Sequence, residues 1–160
     1  EHFDEHLRRE VALSQREERE FALVLIAVDQ AEALQRQHGE GALARVIESV
    51  GHLMRANTRA MDVLAQLGQD RFAILFSGIG LATAHNRVEQ LRRACATELV
   101  VQAGVPLHFE ISAGVATFPH SADSLATLSA AAQRALGDAQ SRGGNRVALA
   151  SIALRPPQVG

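Results

Sequence analysis

The residue run that most constrains this chain is 21–28, eight consecutive apolar residues (FALVLIAV) followed by Asp29. The run has no polar side chain on either of its alternating faces, which is typical of a central strand covered on both sides. It is also the longest apolar run, and a helix needs ~20 such residues to cross a bilayer. The sequence therefore predicts the centre of an α/β sheet here and no membrane contact by this fragment.

The elements around this strand follow a regular order. Apolar residues at helical spacing predict helices, and short apolar runs bounded by Gly or Pro predict strands. The core order, strand–helix–strand–strand–helix–strand, is that of the ferredoxin-like βαββαβ motif. The predicted elements are a helix through Phe3, Leu7 and Val11, a strand at 21–29, helices at 30–38 and 43–57, a hairpin at 63–76, a helix through Leu81 and Cys95, a strand at 107–118, a helix at 123–140 and a strand at 146–150.

The hairpin carries the chain's most informative polar residues. Its two apolar runs, 63–67 and 72–76, are separated by the polar turn Gly68-Gln69-Asp70. Arg59 and Asp62 lie at its entrance, three residues apart. An arginine fork suits phosphate oxygens and the O6/N7 edge of guanine, and it stays charged. A carboxylate suits the N–H edge of guanine, so the pair could face one ligand.

Composition narrows the classes of function. The 160 residues and 47% hydrophobic content predict one globular domain at 1–150, with a linker beginning at 151–160. A net charge of -2 and the absence of Trp and Tyr disfavour binding to a nucleic acid polymer. The single cysteine, Cys95, permits no internal disulfide and fits a reducing compartment. We expect a cytoplasmic domain, whose longer parent protein could still be anchored in a membrane.

The segment from Arg59 to Phe72 resembles the signature hairpin of GGDEF domains, the diguanylate cyclase family. In that family a GG[DE]EF turn holds catalytic carboxylates, and an RxxD motif five residues earlier binds the product, cyclic di-GMP. Here the turn reads GQDRF at 68–72, whereas Arg59 and Asp62 keep RxxD at the same offset. The resemblance covers nearly the whole chain. It implies the family's palm-like fold, a mainly antiparallel sheet flanked by helices.

The same resemblance implies that the catalytic machinery has decayed. Cyclases join two GTP molecules with Mg²⁺, which carboxylates and substrate phosphates hold together. The first Asp of the family's D-x-D strand end is Ala27 here, which leaves Asp29, and the Glu of the hairpin motif is Arg71, beside Asp70. Asp29 and Asp70 are therefore degenerate remnants. We predict a domain with no catalytic residue, no metal and no required cofactor.

The family's substrate-binding positions have changed as well. Its guanine-reading Asn and Asp fall on Gln35 and Ala44, and its triphosphate-holding Lys and Arg fall on Gln140 and Gly144. Each lost hydrogen bond to a charged group is worth about 1.5–3 kcal/mol, or tenfold or more in binding. We therefore expect poor GTP affinity.

The product site is the better preserved one. The resemblance assigns cyclic di-GMP to Arg59, Asp62 and an arginine on the next helix, which is Gln90 here. An amide lacks the charge that a phosphate prefers, so this change lowers the expected affinity.

Three hypotheses stay open on the sequence. The leading one is an inactive GGDEF domain that acts as a cyclic di-GMP receptor and relays occupancy to a neighbouring signalling domain. The second is a ligand-free dimerisation or docking module beside an EAL-type phosphodiesterase domain, and the third is a weakly active cyclase using Asp29 and Asp70. A homodimer of ligand-bound copies is an open alternative within the first.

Overall fold

The computed structural model describes residues 2–17 and 19–151 of the chain. They form five helices and seven strands. The elements in chain order are α1 (His2–Glu17), β1 (Phe21–Val28), α2 (Ala31–His38), α3 (Glu40–Ala56), β2 (Val63–Gln66), β3 (Arg71–Ser77), α4 (Leu81–Thr97), β4 (Val100–Gln102), β5 (Val105–Leu107), β6 (Ile111–Phe118), α5 (Leu125–Ser141) and β7 (Val147–Leu149).

A five-stranded sheet with the order β2-β3-β1-β6-β7 is the centre of the molecule. Strand β1 pairs antiparallel with β3 on one side and with β6 on the other, and only β6 and β7 run parallel. The predicted mainly antiparallel α/β sheet is therefore confirmed, and β1, α3, β2, β3, α4 and β6 supply the βαββαβ core. Every residue of β1 is buried, as its two apolar faces predicted.

Two apolar layers cover the sheet, because successive side chains of a strand point to opposite faces. Val24, Ile26 and Val28 pack with the buried stripes of α3 and α4. Leu23 and Leu25 point the other way and pack with α1 and α5. Burying one such side chain contributes about 1.5–3 kcal/mol, so these two layers are the main source of stability.

Helix α5 approaches the sheet very closely at Gly114 of β6. A Cβ atom added there would lie 2.3 Å from the backbone nitrogen of Leu136 and 2.4 Å from the carbonyl oxygen of Ala132. Only glycine permits this contact. The backbone of α5 therefore packs directly against β6 at this point.

One part of the predicted secondary structure is wrong. The sequence predicts a single strand at 107–118, but Leu107 ends β5 and β6 begins only at Ile111. Strands β4 and β5 form a separate two-stranded sheet joined by the turn Ala103-Gly104, whose φ angles are 52° and 78°. The predicted linker at 151–160 lies outside the described residues except for Ser151. Among those described, no helix is long and apolar enough to cross a membrane.

Candidate functional site

Arg59 and Asp62 lie between the end of α3 and the start of β2, and the structure brings them together. The guanidinium Nη2 of Arg59 donates to Asp62 Oδ1 at 2.7 Å, and Nε donates at 3.2–3.3 Å to the two carboxylate oxygens. The backbone closes the same loop, because the Arg59 N–H donates to Asp62 Oδ2 at 2.7 Å and the Asp62 N–H donates to the Arg59 carbonyl at 3.0 Å. The pair is a bidentate ion pair fixed at both ends.

The two partners differ in their access to solvent. The Asp62 side chain is 0% exposed, whereas that of Arg59 is 31% exposed. Nη2 of Arg59 also donates to the Ser77 carbonyl at 2.9 Å, and the Ser77 hydroxyl donates to Glu10 of α1 at 2.6 Å. The bonds that Arg59 makes to described residues use Nε and Nη2, which leaves Nη1 for a further acceptor. Met61, which lies between Arg59 and Asp62 in sequence, is 63% exposed. The loop therefore carries a partly exposed guanidinium and an exposed apolar side chain.

Gln90, the third predicted ligand residue, lies exposed on α4. Within the described chain it makes no hydrogen bond to Arg59 or Asp62. Its neighbours Glu89 and Arg92 face inward instead: Arg92 Nε donates to both oxygens of Glu89 at 3.0 and 3.1 Å. The structure thus joins Arg59 to Asp62 and leaves Gln90 separate from them.

Asp29 lies immediately after β1, and its carboxylate is occupied by protein groups. Oδ1 accepts a hydrogen bond from the Ser112 hydroxyl at 2.7 Å, and Oδ2 accepts one from the Asn145 backbone N–H at 2.7 Å. The turn between α5 and β7 passes close to this carboxylate, since a Cβ atom at Gly144 would lie 2.8 Å from Oδ2 of Asp29. Gly144 has φ +74°, a conformation that favours glycine as well. Asp29 therefore ties the turn between α5 and β7 to β1 and β6.

This cluster extends to α4 through the side chain of Asn145. Arg92 Nη1 donates to Asn145 Oδ1 at 2.8 Å. The hydrogen bond from Arg92 lowers the pKa of Glu89, and the hydrogen bond from Glu89 raises the pKa of Arg92. Sequence reasoning missed Ser112, Asn145 and Arg92, because they lie far from Asp29 along the chain and belong to no shared motif. We name the set Asp29, Ser112, Asn145, Arg92 and Glu89 the Asp29 cluster.

Asp70 and Arg71 lie on the opposite side of β1. The Asp70 carbonyl accepts a hydrogen bond from the Val28 N–H at 3.0 Å, and Arg71 begins β3 opposite Ala27. The hydrogen-bond partners of the Asp29 carboxylate, Ser112 and Asn145, lie on the β6 side of β1. Ala27 is 1% exposed. Among residues 2–17 and 19–151 no three His, Cys, Asp or Glu side chains lie close enough together to hold a metal ion.

The family follows from comparison with known proteins. A model of the family described as diguanylate cyclase, GGDEF domain, matches residues 1–146. The chain belongs to the GGDEF family. The expected palm-like fold and the resemblance of the hairpin are thereby confirmed.

Curated relatives of this GGDEF domain are themselves longer proteins. Diguanylate cyclase A of Treponema denticola is 23% identical over 128 residues, which are 80% of this chain and 34% of that protein. MucR of Pseudomonas aeruginosa, a bifunctional diguanylate cyclase/cyclic di-GMP phosphodiesterase, is 25% identical over 142 residues, or 89% of this chain and 21% of that protein. The chain thus spans about a third of the first relative's length and about a fifth of the second's.

Solved GGDEF domains share the fold at low sequence identity. The GGDEF domain of TpbB (YfiN) from Pseudomonas aeruginosa superposes with a TM-score of 0.88 at 22% identity, covering 94% of both chains. The GGDEF domain of DgcB from Caulobacter crescentus, in complex with c-di-GMP, superposes with a TM-score of 0.86 at 19% identity, covering 92% of this chain and 87% of that one.

Four positions of this GGDEF domain correspond, by the family resemblance, to residues that bind GTP. Gln35 is partly exposed on α2, and Ala44 is exposed on α3 with only a methyl group to offer. Gln140 is exposed at the end of α5, whereas Gly144 is buried against Asp29. None of the four carries a charge.

Proposed function

We propose that this GGDEF domain makes no cyclic di-GMP and instead binds it as a regulatory signal through Arg59 and Asp62. One contrast supports the proposal. The Asp29 carboxylate already accepts hydrogen bonds from Ser112 and Asn145, whereas the Arg59 guanidinium keeps a partly exposed edge.

The case against catalysis rests on the metal. Mg²⁺ demands near-octahedral oxygen ligands and is usually held by one or two carboxylates together with substrate phosphates. A metal would compete with the two protein donors that already engage the oxygens of Asp29, and each hydrogen bond to a charged group is worth about 1.5–3 kcal/mol. Ala27 offers a buried methyl group, and the Arg71 cation adjoins Asp70. Metal, guanine and triphosphate contacts are all weakened together.

The case for binding rests on the preorganised guanidinium. Asp62 and the Ser77 carbonyl hold Arg59 in one orientation, so little side-chain entropy is lost when a ligand arrives. The free Nη1 edge suits a phosphate or the O6/N7 edge of guanine, and exposed Met61 offers apolar contact to a base. The buried Asp62 carboxylate contributes mainly by fixing Arg59. Gln90 makes no hydrogen bond to Arg59 or Asp62 among the described residues, so in this proposal it contributes only by contacting the bound ligand directly.

Calorimetric titration with cyclic di-GMP tests the proposal. The wild-type domain is expected to give a saturable heat. Arg59→Lys keeps a cation opposite the buried Asp62 but lacks the fork, so binding should weaken about tenfold or more. Arg59→Ala should abolish the heat, but it leaves a buried carboxylate without its partner, which costs about 3–5 kcal/mol of folding stability. The lysine variant is therefore the decisive one.

Two further variants sharpen the titration. Arg142→Lys changes an exposed arginine of the turn after α5, paired with Asp138, and should leave the heat unaltered. Gln90→Arg restores a charge on α4 and should tighten binding if the ligand bridges to that helix. A folded wild-type domain that gives no heat with cyclic di-GMP refutes the receptor function and favours the docking module. Cyclic di-GMP formed from GTP and Mg²⁺ by the pure domain would refute the loss of catalysis.

The proposed receptor acts within a longer signalling protein. A curated relative, MucR, is described as both a cyclase and a phosphodiesterase, and SiaD, a solved relative, forms a complex with its activator SiaC. By analogy, we place an EAL-type or other signalling domain next to this one. The proposed compartment is the cytoplasm, where the single buried thiol of Cys95 would stay reduced.

A further inference from the structure

We propose that the outer edge of the sheet, strand β2 together with the facing side of α3, binds an extended peptide segment of a partner protein that carries an apolar side chain and a carboxylate. The peptide would add a sixth strand beside β2. This surface is separate from Arg59 and Asp62, and the inference does not depend on the proposed cyclic di-GMP site.

The first observation is that β2 presents backbone groups outward. It is the last strand on its side of the sheet, and its register with β3 places Leu64 opposite Ile74 and Gln66 opposite Phe72. The Leu67 N–H donates to the Arg71 carbonyl at 2.8 Å. In an antiparallel ladder every second residue turns its backbone groups to the partner strand, so Ala65 and Val63 also bond to β3. The N–H and C=O groups of Leu64 and Gln66 therefore point away from the sheet. Such a row is a template for pairing with another chain.

The second observation is a groove beside that edge. A cavity of about 370 Å³ separates α3 from β2 and lies within the size range of sites that enclose a ligand group. Buried Met54 and Phe72 and partly buried Ile47 and Leu64 contribute apolar lining, while Glu48, Arg55 and Gln66 are the polar residues that line it. In an added strand every second side chain would point to the α3 face. One apolar side chain of the peptide would thus enter the groove.

The third observation is a glycine in the wall of the groove. Gly51 lies within α3, where glycine costs helix stability relative to alanine. Packing does not demand it, because a Cβ atom there would meet only the flexible end of Arg55, at 3.5 Å. Here the missing side chain keeps the groove open.

The charges along α3 specify the peptide. Glu48 is within 3.8 Å of Arg45 and 3.9 Å of His52, so its carboxylate already has a cationic neighbour in Arg45. Arg55 contacts His52 Nδ1 at 3.3 Å and has no carboxylate within ion-pair distance among the described residues. It therefore offers a cation to the ligand. The proposed occupant is therefore an acidic peptide, and edge-to-edge pairing with a second copy of this chain is the competing outcome of the test.

Amide hydrogen exchange followed by NMR tests the inference directly. The probe is a synthetic peptide that alternates leucine and threonine and ends in glutamate, and its matched control ends in glutamine. Bound peptide should slow exchange at Leu64 and Gln66 about tenfold or more, and it should change Ala65, which already faces β3, far less. This alternation is the signature of an added strand.

Three variants separate the contributions. Gly51→Leu fills the groove and should abolish protection, whereas Gly51→Ala should retain most of it. Gln66→Pro removes an outward N–H at an edge position where proline is tolerated, and it should abolish protection without unfolding the domain. Arg55→Gln should erase the preference for the glutamate peptide, expected at about fivefold for an exposed ion pair.

The inference fails in four outcomes. It fails if saturating peptide leaves Leu64 and Gln66 unprotected, or if Gly51→Leu binds as tightly as wild type. It fails if those amides become protected without peptide as protein concentration rises, since a second copy then covers the edge. It also fails if GTP displaces the peptide, since the groove is then a nucleotide site. Cyclic di-GMP titrations of the Gly51 variants should match wild type throughout.

Discussion

Removing the Asp29 carboxylate tests whether this residue is a structural anchor. In Asp29→Ala the Asn145 N–H and the Ser112 hydroxyl lose their acceptor, and Ser112 is 0% exposed. Hydrogen bonds to charged groups contribute about 1.5–3 kcal/mol each, and because Asp29 itself is partly exposed, we reduce the summed range of about 3–6 kcal/mol by about a third. The expected loss of unfolding free energy is about 2–4 kcal/mol.

Urea unfolding followed by circular dichroism measures this loss. With a slope near 2 kcal/mol/M, the midpoint should fall by about 1–2 M. The double variant Asp29→Ala with Ser112→Ala should recover about 1 kcal/mol or more, because no buried hydroxyl is then left without an acceptor. Asp29→Asn should cost less than Asp29→Ala, because its amide oxygen still accepts from Asn145.

A competing role for Asp29 predicts the opposite pattern. If the carboxylate were kept for a metal, Mg²⁺ would stabilise the wild-type domain by RT ln(1 + [Mg²⁺]/Kd), and Asp29→Asn would remove that gain. A loss smaller than about 0.5 kcal/mol in Asp29→Ala, within the range of ordinary surface substitutions, would refute the anchor. Melting curves with and without Mg²⁺ distinguish the two roles.

Three other predictions concern the core and its titrating groups. Burial, and to a smaller extent Glu98, raises the pKa of the Cys95 thiol from 9.0 to about 12. The chain has no Tyr or Lys to titrate in this range, so the free energy of unfolding should fall by about 1.4 kcal/mol per pH unit between pH 9 and 12. Cys95→Ala should flatten that slope in urea titrations. The pKa of Glu89 is lowered by Arg92, so the stability that it contributes is present above pH 4.5 and lost as pH falls through the folded pKa; Glu89→Gln should weaken this acid dependence in the same titrations. Gly114→Ala should destabilise by about 1–3 kcal/mol or more because α5 must move, whereas Gly137→Ala, with nothing within 4 Å, should stabilise by about 0.5–1 kcal/mol; thermal melts that ranked the two equally would contradict the close approach.

Local patterns were sufficient to predict most of the fold. The both-sided apolar run at 21–28 is the buried central strand, and the stripe through Val46, Val50 and Met54 is the buried face of α3. The hairpin 100–107 was missed because its strands are three residues long and its turn is Ala103-Gly104 rather than a strong turn dipeptide. So short a pair has too little periodicity to be detected.

The site was predictable only where its parts are neighbours in sequence. Arg59 and Asp62 are three residues apart, so their spacing predicted that both could face one ligand, and the structure adds the ion pair between them. The Asp29 cluster joins residues separated by 83 and 116 positions, and no local pattern encodes which donors meet at the end of a strand. The structure adds that Asp29 accepts hydrogen bonds within the fold, and its interpretation as a degenerate catalytic remnant stays a prediction.

Ser77 receives Arg59 on its carbonyl and holds Glu10 of the first helix with its hydroxyl. A ligand that drew the guanidinium outward would disturb a residue that contacts both Arg59 and the leading helix. This contact offers a short route from the guanidinium to the helix at the chain's amino-terminal side, through which any preceding domain would be attached.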